Sequence, residues 1–257
     1  PMTMPASPLA TSSMVRRRAA VDWLPVSSAT RVAWSAPPRS RRCSAKAAGT
    51  ICKGAWSACT PDNVGRFSAV LYFFGREIHR EVGVPVGLIN TSVGGTPIES
   101  WVSAEAQSSD PETKANFDAK TKDYLAFDES KSGELHAKQM ATWKAAVAKA
   151  KQEGKEFVTP APRNPLAMRR LKGGPAGLYN GKVVNLAPYT LRGMLWYQGE
   201  GNAGNAALYD EQLSQLVTSW RALWQDEVPF AWVQLPNYRN SQSEGWPRMR
   251  DSMMKVL

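Results

Sequence analysis

The stretch 193–235, "GMLWYQGEGNAGNAALYDEQLSQLVTSWRALWQDEVPFAWVQL", admits few folds. An apolar run reads as a buried strand, and it breaks abruptly into glycines, amides and a carboxylate. Leu208, Leu213, Leu216, Val217, Trp220 and Leu223 then recur at helical spacing, and "VPFAWVQLPN" supplies a second strand. A helical return between two strands brings the chain back in the same direction, so the two strands are expected to lie parallel. An earlier stretch carries the complementary half of the pattern. "TPDNVGRFSAVLYFFGREIHREVGVP" predicts a helix capped at Thr60 or Asp62, with Phe67, Val70, Leu71, Phe74 and Ile78 on the face packed against a sheet, ending at Gly83 and Pro85. "VPVGLINTS" follows as a short buried strand and "VGGTPIESW" as a glycine-rich turn. The expected architecture is α/β, a parallel sheet with helices on both faces.

In such folds ligands sit beyond the carboxyl ends of the strands. Three polar loops, "TSVGGT", "YQGEGN" and "QLPNYR", should therefore meet at one edge. Gly94 and Gly95 allow a tight turn that brings backbone N–H groups to a ligand, and Gln198 and Asn202 offer side-chain amides. Donors fixed in advance are what an acyl-transfer oxyanion requires. Glu200 is placed to accept a sugar hydroxyl or to hold a neighbouring loop, and Ser92 reads as a turn residue. Trp101, Trp196 and Tyr197 offer aromatic faces to a sugar, although Trp196, inside a strand, reads as core.

Between these halves, residues 103–155 are rich in Ala, Lys and Glu, and a proline- and glycine-rich linker follows. We read about 103–175 as a helical insertion on the α/β core, with its Lys and Glu residues solvated. Residues 1–50 differ from everything after them. They contain eight basic residues and one acid, a net of +7 out of the chain's formal +10, and no Glu, Gln, Asn, His, Phe, Tyr or Ile. This composition suits a disordered basic segment or an artefactual one joined to a genuine domain that begins near residue 51 and runs to 257. Confining the charge to this segment argues against a nucleic-acid-binding face, and no base-reading motif appears in the remainder. No apolar run approaches the ~20 residues of a membrane-spanning helix, so no membrane partner is expected. Cys43, Cys52 and Cys59 have no metal-ligand spacing. They read as incidental thiols, with a Cys52–Cys59 disulfide open to an exported protein.

Two long stretches, "FSAVLYFFGREIHREVGVPVGLINTSVGGTPIESWVS" and "LYNGKVVNLAPYTLRGMLWYQGEGNAGNAALYDEQLSQLVTSWRALW", resemble the sialate O-acetylesterase family of the SGNH-type hydrolase superfamily, over roughly residues 53–250. The resemblance implies a flavodoxin-like three-layer α/β/α fold, here incomplete, and removal of O-acetyl groups from sialic acids or related sugars without metal or organic cofactor. It places the oxyanion hole at Gly94, Gly95 and Gln198, with Thr96, Glu200 and Asn202 as substrate-binding or supporting residues. It also implies a serine nucleophile in a Gly-Gln-Ser-Asn segment and an Asp-x-x-His pair, and an extracellular, periplasmic or lysosomal type of location. Neither catalytic segment occurs in the sequence. Its two histidines, His79 and His136, fall in helical stretches and read as surface residues. Little or no esterase activity is expected of this chain as it stands, because a hydroxyl without a base is a poor nucleophile. A sugar-binding relative that does not cleave is the alternative.

Overall fold

The computed structural model describes residues 33–35, 56–187, 189–238 and 245–256. Three short strands, β1 (Ala33–Ser35), β2 (Trp56–Ala58) and β3 (Leu88–Ile89), form one sheet in the order β2-β1-β3, with β1 antiparallel to β2 and parallel to β3. The helix expected from Thr60 onward divides in two. α1 (Pro61–Val64) ends at Gly65, and α2 (Ala69–Val82) restarts where Ser68 Oγ accepts the Leu71 N–H at 3.3 Å. Gly83, in the left-handed region with φ 68°, closes α2 by donating its N–H to the His79 carbonyl.

α2 meets β3 through Gly75, where an added Cβ would lie 2.6 Å from a methyl of Leu88. Only hydrogen allows that approach. The apolar stripe expected to face inward does so incompletely, since Val70, Phe74 and Ile78 remain 38%, 48% and 40% exposed. With Gly75 seated on β3, among the described residues nothing covers the rest of that face.

Four helices then follow: α3 (Ala104–Gln107), α4 (Pro111–Leu125), α5 (Glu129–Gln152) and α6 (Pro165–Lys172). Asp110 caps α4 by accepting from the N–H groups of Glu112 and Thr113, and Pro111 fits the first helical position, where no N–H is required. The 24-residue α5 buries none of its side chains. Its scattered lysines keep most of the surface solvated, and it meets the rest of the protein through α6.

The core forms around β4 (Met194–Trp196), which runs parallel to β5 (Phe230–Trp232), as the intervening helix α7 (Tyr209–Trp224) requires. Leu213, Leu216 and Trp220 of α7 are buried, while Leu208, Val217 and Leu223 are half-buried. Trp196 stacks edge-on between Trp101 and Trp220, with ring centroids 6.0 Å apart in each pair. Such pairs contribute roughly 0.5–1.5 kcal/mol each beyond the area they bury. Trp101 and Trp196 are thus core residues rather than sugar platforms, whereas Tyr197 is half exposed. α8 (Gly245–Met254) covers the opposite side, seating Met249 and Met253 in the core and bonding Ser252 Oγ to the Ala206 carbonyl at 2.7 Å. The fold is α/β, with its parallel pairings split between two small sheets among the described residues instead of one continuous sheet.

Candidate active site

The loops after β3, β4 and β5 converge, and buried hydrogen bonds hold the first two together. Gln198 Nε2 donates to the Thr96 carbonyl at 3.0 Å and to Asn202 Oδ1 at 2.8 Å. Asn202 Oδ1 also accepts the Ile98 N–H at 2.8 Å, and its Nδ2 donates to Glu99 Oε2 at 2.8 Å. Three of these four bonds join positions about a hundred residues apart in sequence, on two loops that neither local propensity nor a shared element would bring together, and the fourth, from Gln198 to Asn202, braces the second loop internally. Gly201 allows the same closeness in the backbone, since a Cβ there would stand 3.2 Å from the Thr96 carbonyl oxygen. The third loop arrives through Leu235, which packs with Met249 against the Cα of Gly199. Gly199 holds φ 146°, a value that side chains strongly disfavour.

Below the loops the network continues to Tyr209, which is fully buried. Its hydroxyl donates to Gln198 Oε1 at 2.7 Å and accepts from Trp196 Nε1 at 3.1 Å. Burial pushes the Tyr209 phenol far above the usual tyrosine range, so it stays a protonated donor. On the other side, Glu99 is 2% exposed, and its second oxygen accepts from Asn116 Nδ2 of α4 at 2.9 Å. A buried carboxylate with amide donors and no cation among the described residues is held by charge-assisted hydrogen bonds alone.

The predicted site residues therefore separate into two groups. Thr96, Gln198 and Asn202 are brought together, but as buried supports; both amide hydrogens of Gln198 are already bonded within the protein. Gly94, Gly95 and Glu200 lie on the exposed rim. Among the described residues, the backbone N–H groups of Gly94 and Gly95 have no partner, and Gly95, at φ 69°, turns the chain in a conformation that favours glycine. Thr96 Oγ1 steadies this turn by donating to the Val93 carbonyl while accepting from Trp101 Nε1.

Among the described residues, no activated nucleophile adjoins the turn. Ser92 donates its hydroxyl to Asn90 Oδ1 at 2.7 Å, as an ordinary turn serine would. His79 Nδ1 bonds the Val84 carbonyl at the end of α2. His136, on α5, is partly exposed, in keeping with a surface position, and its Nδ1 is shielded from water without a hydrogen-bond partner. Among the described residues no three His, Cys, Asp or Glu side chains gather to hold a metal ion. Cys59 is a free, half-buried thiol whose pKa burial raises, and Cys43 and Cys52 lie outside the described residues.

Residues 176–256, which span β4, the "YQGEGN" loop, α7, β5 and α8, match the carbohydrate esterase family of sialic acid-specific acetylesterases. The similarity extends well beyond that segment. Sialate O-acetylesterase from Rattus norvegicus is 32% identical over 214 residues, covering 76% of this chain and 35% of its own. The likeness to this family thus runs through most of the chain. Sialate O-acetylesterase from Homo sapiens is 28% identical over 211 residues, covering 76% of this chain and 32% of its own. A solved carbohydrate acetylesterase from Xanthomonas citri superposes with a TM-score of 0.58 at 26% identity, over 87% of this chain and 39% of that one. The chain thus spans about a third of the length of the curated sialate O-acetylesterases it matches.

Within this family frame, Glu99, Asn116 and Tyr209 are site-building residues that sequence reasoning passed over. Glu99 left a trace, a single acid between apolar Ile98 and the Trp101–Val102 pair. Asn116 left none, since nothing local distinguishes one polar residue of a solvated helix from its neighbours.

Proposed function

We propose that this chain forms the oxyanion platform of a carbohydrate esterase that removes O-acetyl groups from sialic acids or related acetylated sugars. The observation that carries this reading is the joining of the glycine turn to the amide loop through Asn202 and Gln198, which leaves the Gly94 and Gly95 N–H groups facing no protein acceptor among the described residues. Attack on an acetyl carbonyl moves negative charge onto its oxygen, and two prepositioned N–H donors stabilise that charge without reorganising. A single such donor is worth about 2.7–4 kcal/mol of barrier. Gln198 serves this turn from behind by fixing the Thr96 carbonyl. Thr96 and Asn202 hold the same scaffold, and Glu200 on the rim receives sugar hydroxyls.

Ester cleavage also needs an activated oxygen nucleophile and a base, and the sequence contains neither Gly-Gln-Ser-Asn nor Asp-x-x-His. The chain is therefore expected to bind an acetylated sugar and to turn it over far more slowly than about 1 s⁻¹, the low end of ordinary enzyme rates. An NMR titration with an O-acetylated sialic acid, combined with an acetate-release assay, tests both parts. Saturable shifts of the Gly94, Gly95 and Gly201 amides, weaker with the de-O-acetylated sugar, are expected. Unchanged amides overturn the platform, and turnover near that rate overturns the claim that its nucleophile is lacking.

A further inference from the structure

α6 ends in three cations that meet different surroundings. Arg169 lies with its guanidinium 3.7 Å above the Tyr124 ring, and both Arg169 and Arg170 stand 3.9 Å from the Glu129 carboxylate. Lys172 has neither kind of partner: among the described residues no carboxylate or carbonyl pairs with its ammonium. Instead the side chain crosses the glycine turn. A Cβ built on Gly95 would sit 3.3 Å from Lys172 Nζ, so the ammonium lies directly over the backbone of the turn. The end of α6 is anchored there as well. Gly173, at φ 65°, turns the chain out of the helix, and the Ala176 N–H donates to the Glu99 carbonyl at 2.7 Å.

An ammonium carries three donors and no acceptor, and one held half-buried without an internal partner has donors to give to a ligand anion. We infer that Lys172 is a specificity-determining residue of the site, binding the carboxylate of an acidic acetylated sugar whose acetyl group meets the Gly94–Gly95 turn. This inference rests on the esterase reading above and sharpens it, because a neutral acetylated sugar offers nothing to Lys172. The helical excursion then does more than decorate the core. It delivers the cation that distinguishes an acidic sugar from a neutral one.

The test is isothermal titration calorimetry of the chain with an O-acetylated sialic acid and with its methyl ester, at low salt, for the unmodified protein, K172M and K172R. A single charge-assisted hydrogen bond at a half-buried site predicts that the unmodified protein prefers the acid about tenfold. K172M is expected to abolish that preference while leaving affinity for the ester unchanged, and K172R to retain most of it. Melting curves establish whether K172M folds, and the acid-to-ester ratio of the unmodified protein needs no variant. Equal affinity for acid and ester, or a K172M protein with the original preference, overturns the assignment of Lys172 while leaving the esterase reading standing. Failure of the unmodified protein to bind either sugar overturns both.

Discussion

Replacing Asn202 with Ala should separate the two loops that the whole site depends on. The side chain makes three buried hydrogen bonds, to the Ile98 N–H, to Gln198 Nε2 and to the Glu99 carboxylate. Gln198 Nε2 keeps its bond to Thr96, so its loss costs about 1 kcal/mol, the net value of a neutral pair. The Ile98 N–H is left buried without an acceptor, at about 1–3 kcal/mol, and the Glu99 carboxylate loses one of two charge-assisted donors, at about 1.5–3 kcal/mol. Together these give a destabilisation of about 5 kcal/mol, comparable to the total stability of many domains. For a chain of this size each kcal/mol lowers Tm by roughly 2–4 °C, so a drop of about 10–20 °C is expected in circular dichroism melts. Gly94→Ala is the internal control, since its added Cβ would meet nothing within 4 Å. If Asn202→Ala melts within about 2 °C of the unmodified protein, or no lower than Gly94→Ala, the network does not hold the loops and the argument built on it fails.

Gly199→Ala should cost about 3 kcal/mol, combining the strain of φ 146° with a Cβ placed 3.0 Å from a Leu235 methyl; urea unfolding measures it, and a midpoint shift no larger than that of Gly94→Ala would refute the packing described. The raised pKa of Tyr209 fixes the direction of a pH effect. Its folded-state proton is held more tightly than its unfolded one, so the contribution is fully present at neutral pH and is lost as pH rises beyond about 10, the unfolded value. Denaturation midpoints measured from neutral pH upward should fall there, and Tyr209→Phe, less stable at neutral pH, should show a shallower fall.

What could be read from the sequence and what could not divide along physical lines. The β4–α7–β5 unit was legible because a periodic face and its flanking strands are written within forty residues, and Leu213, Leu216 and Trp220 are buried as that period requires. The meeting of the "VGGT" and "QGEGN" loops was expected from the edge rule for one parallel sheet, but β3 and β4 lie in separate sheets and the loops are joined instead by buried hydrogen bonds. The roles within those loops could not be read, because a hydrogen bond such as that from Gln198 to Thr96 depends on partners a hundred positions away. A free amide and a committed one are spelled identically. The α2 stripe was misread for a related reason: period identifies an apolar face, but Gly75 on Leu88 decides which part of it meets the sheet.

The helical excursion is tied to the site unevenly. α4 enters it through Asn116, bonded to Glu99, and through Thr113, whose hydroxyl donates to the Gln107 carbonyl and accepts from Gln215 of α7. α5, longer by nine residues, sends no side chain into the interior. Changes of length in α5 therefore leave the α4 anchors alone and reach the turn only through α6, on which α5 packs. In α4 a one-residue insertion before Thr113 would rotate both anchors away by about 100°. Two neighbouring helices of similar composition thus face opposite rules of change, one a keel and the other a fringe.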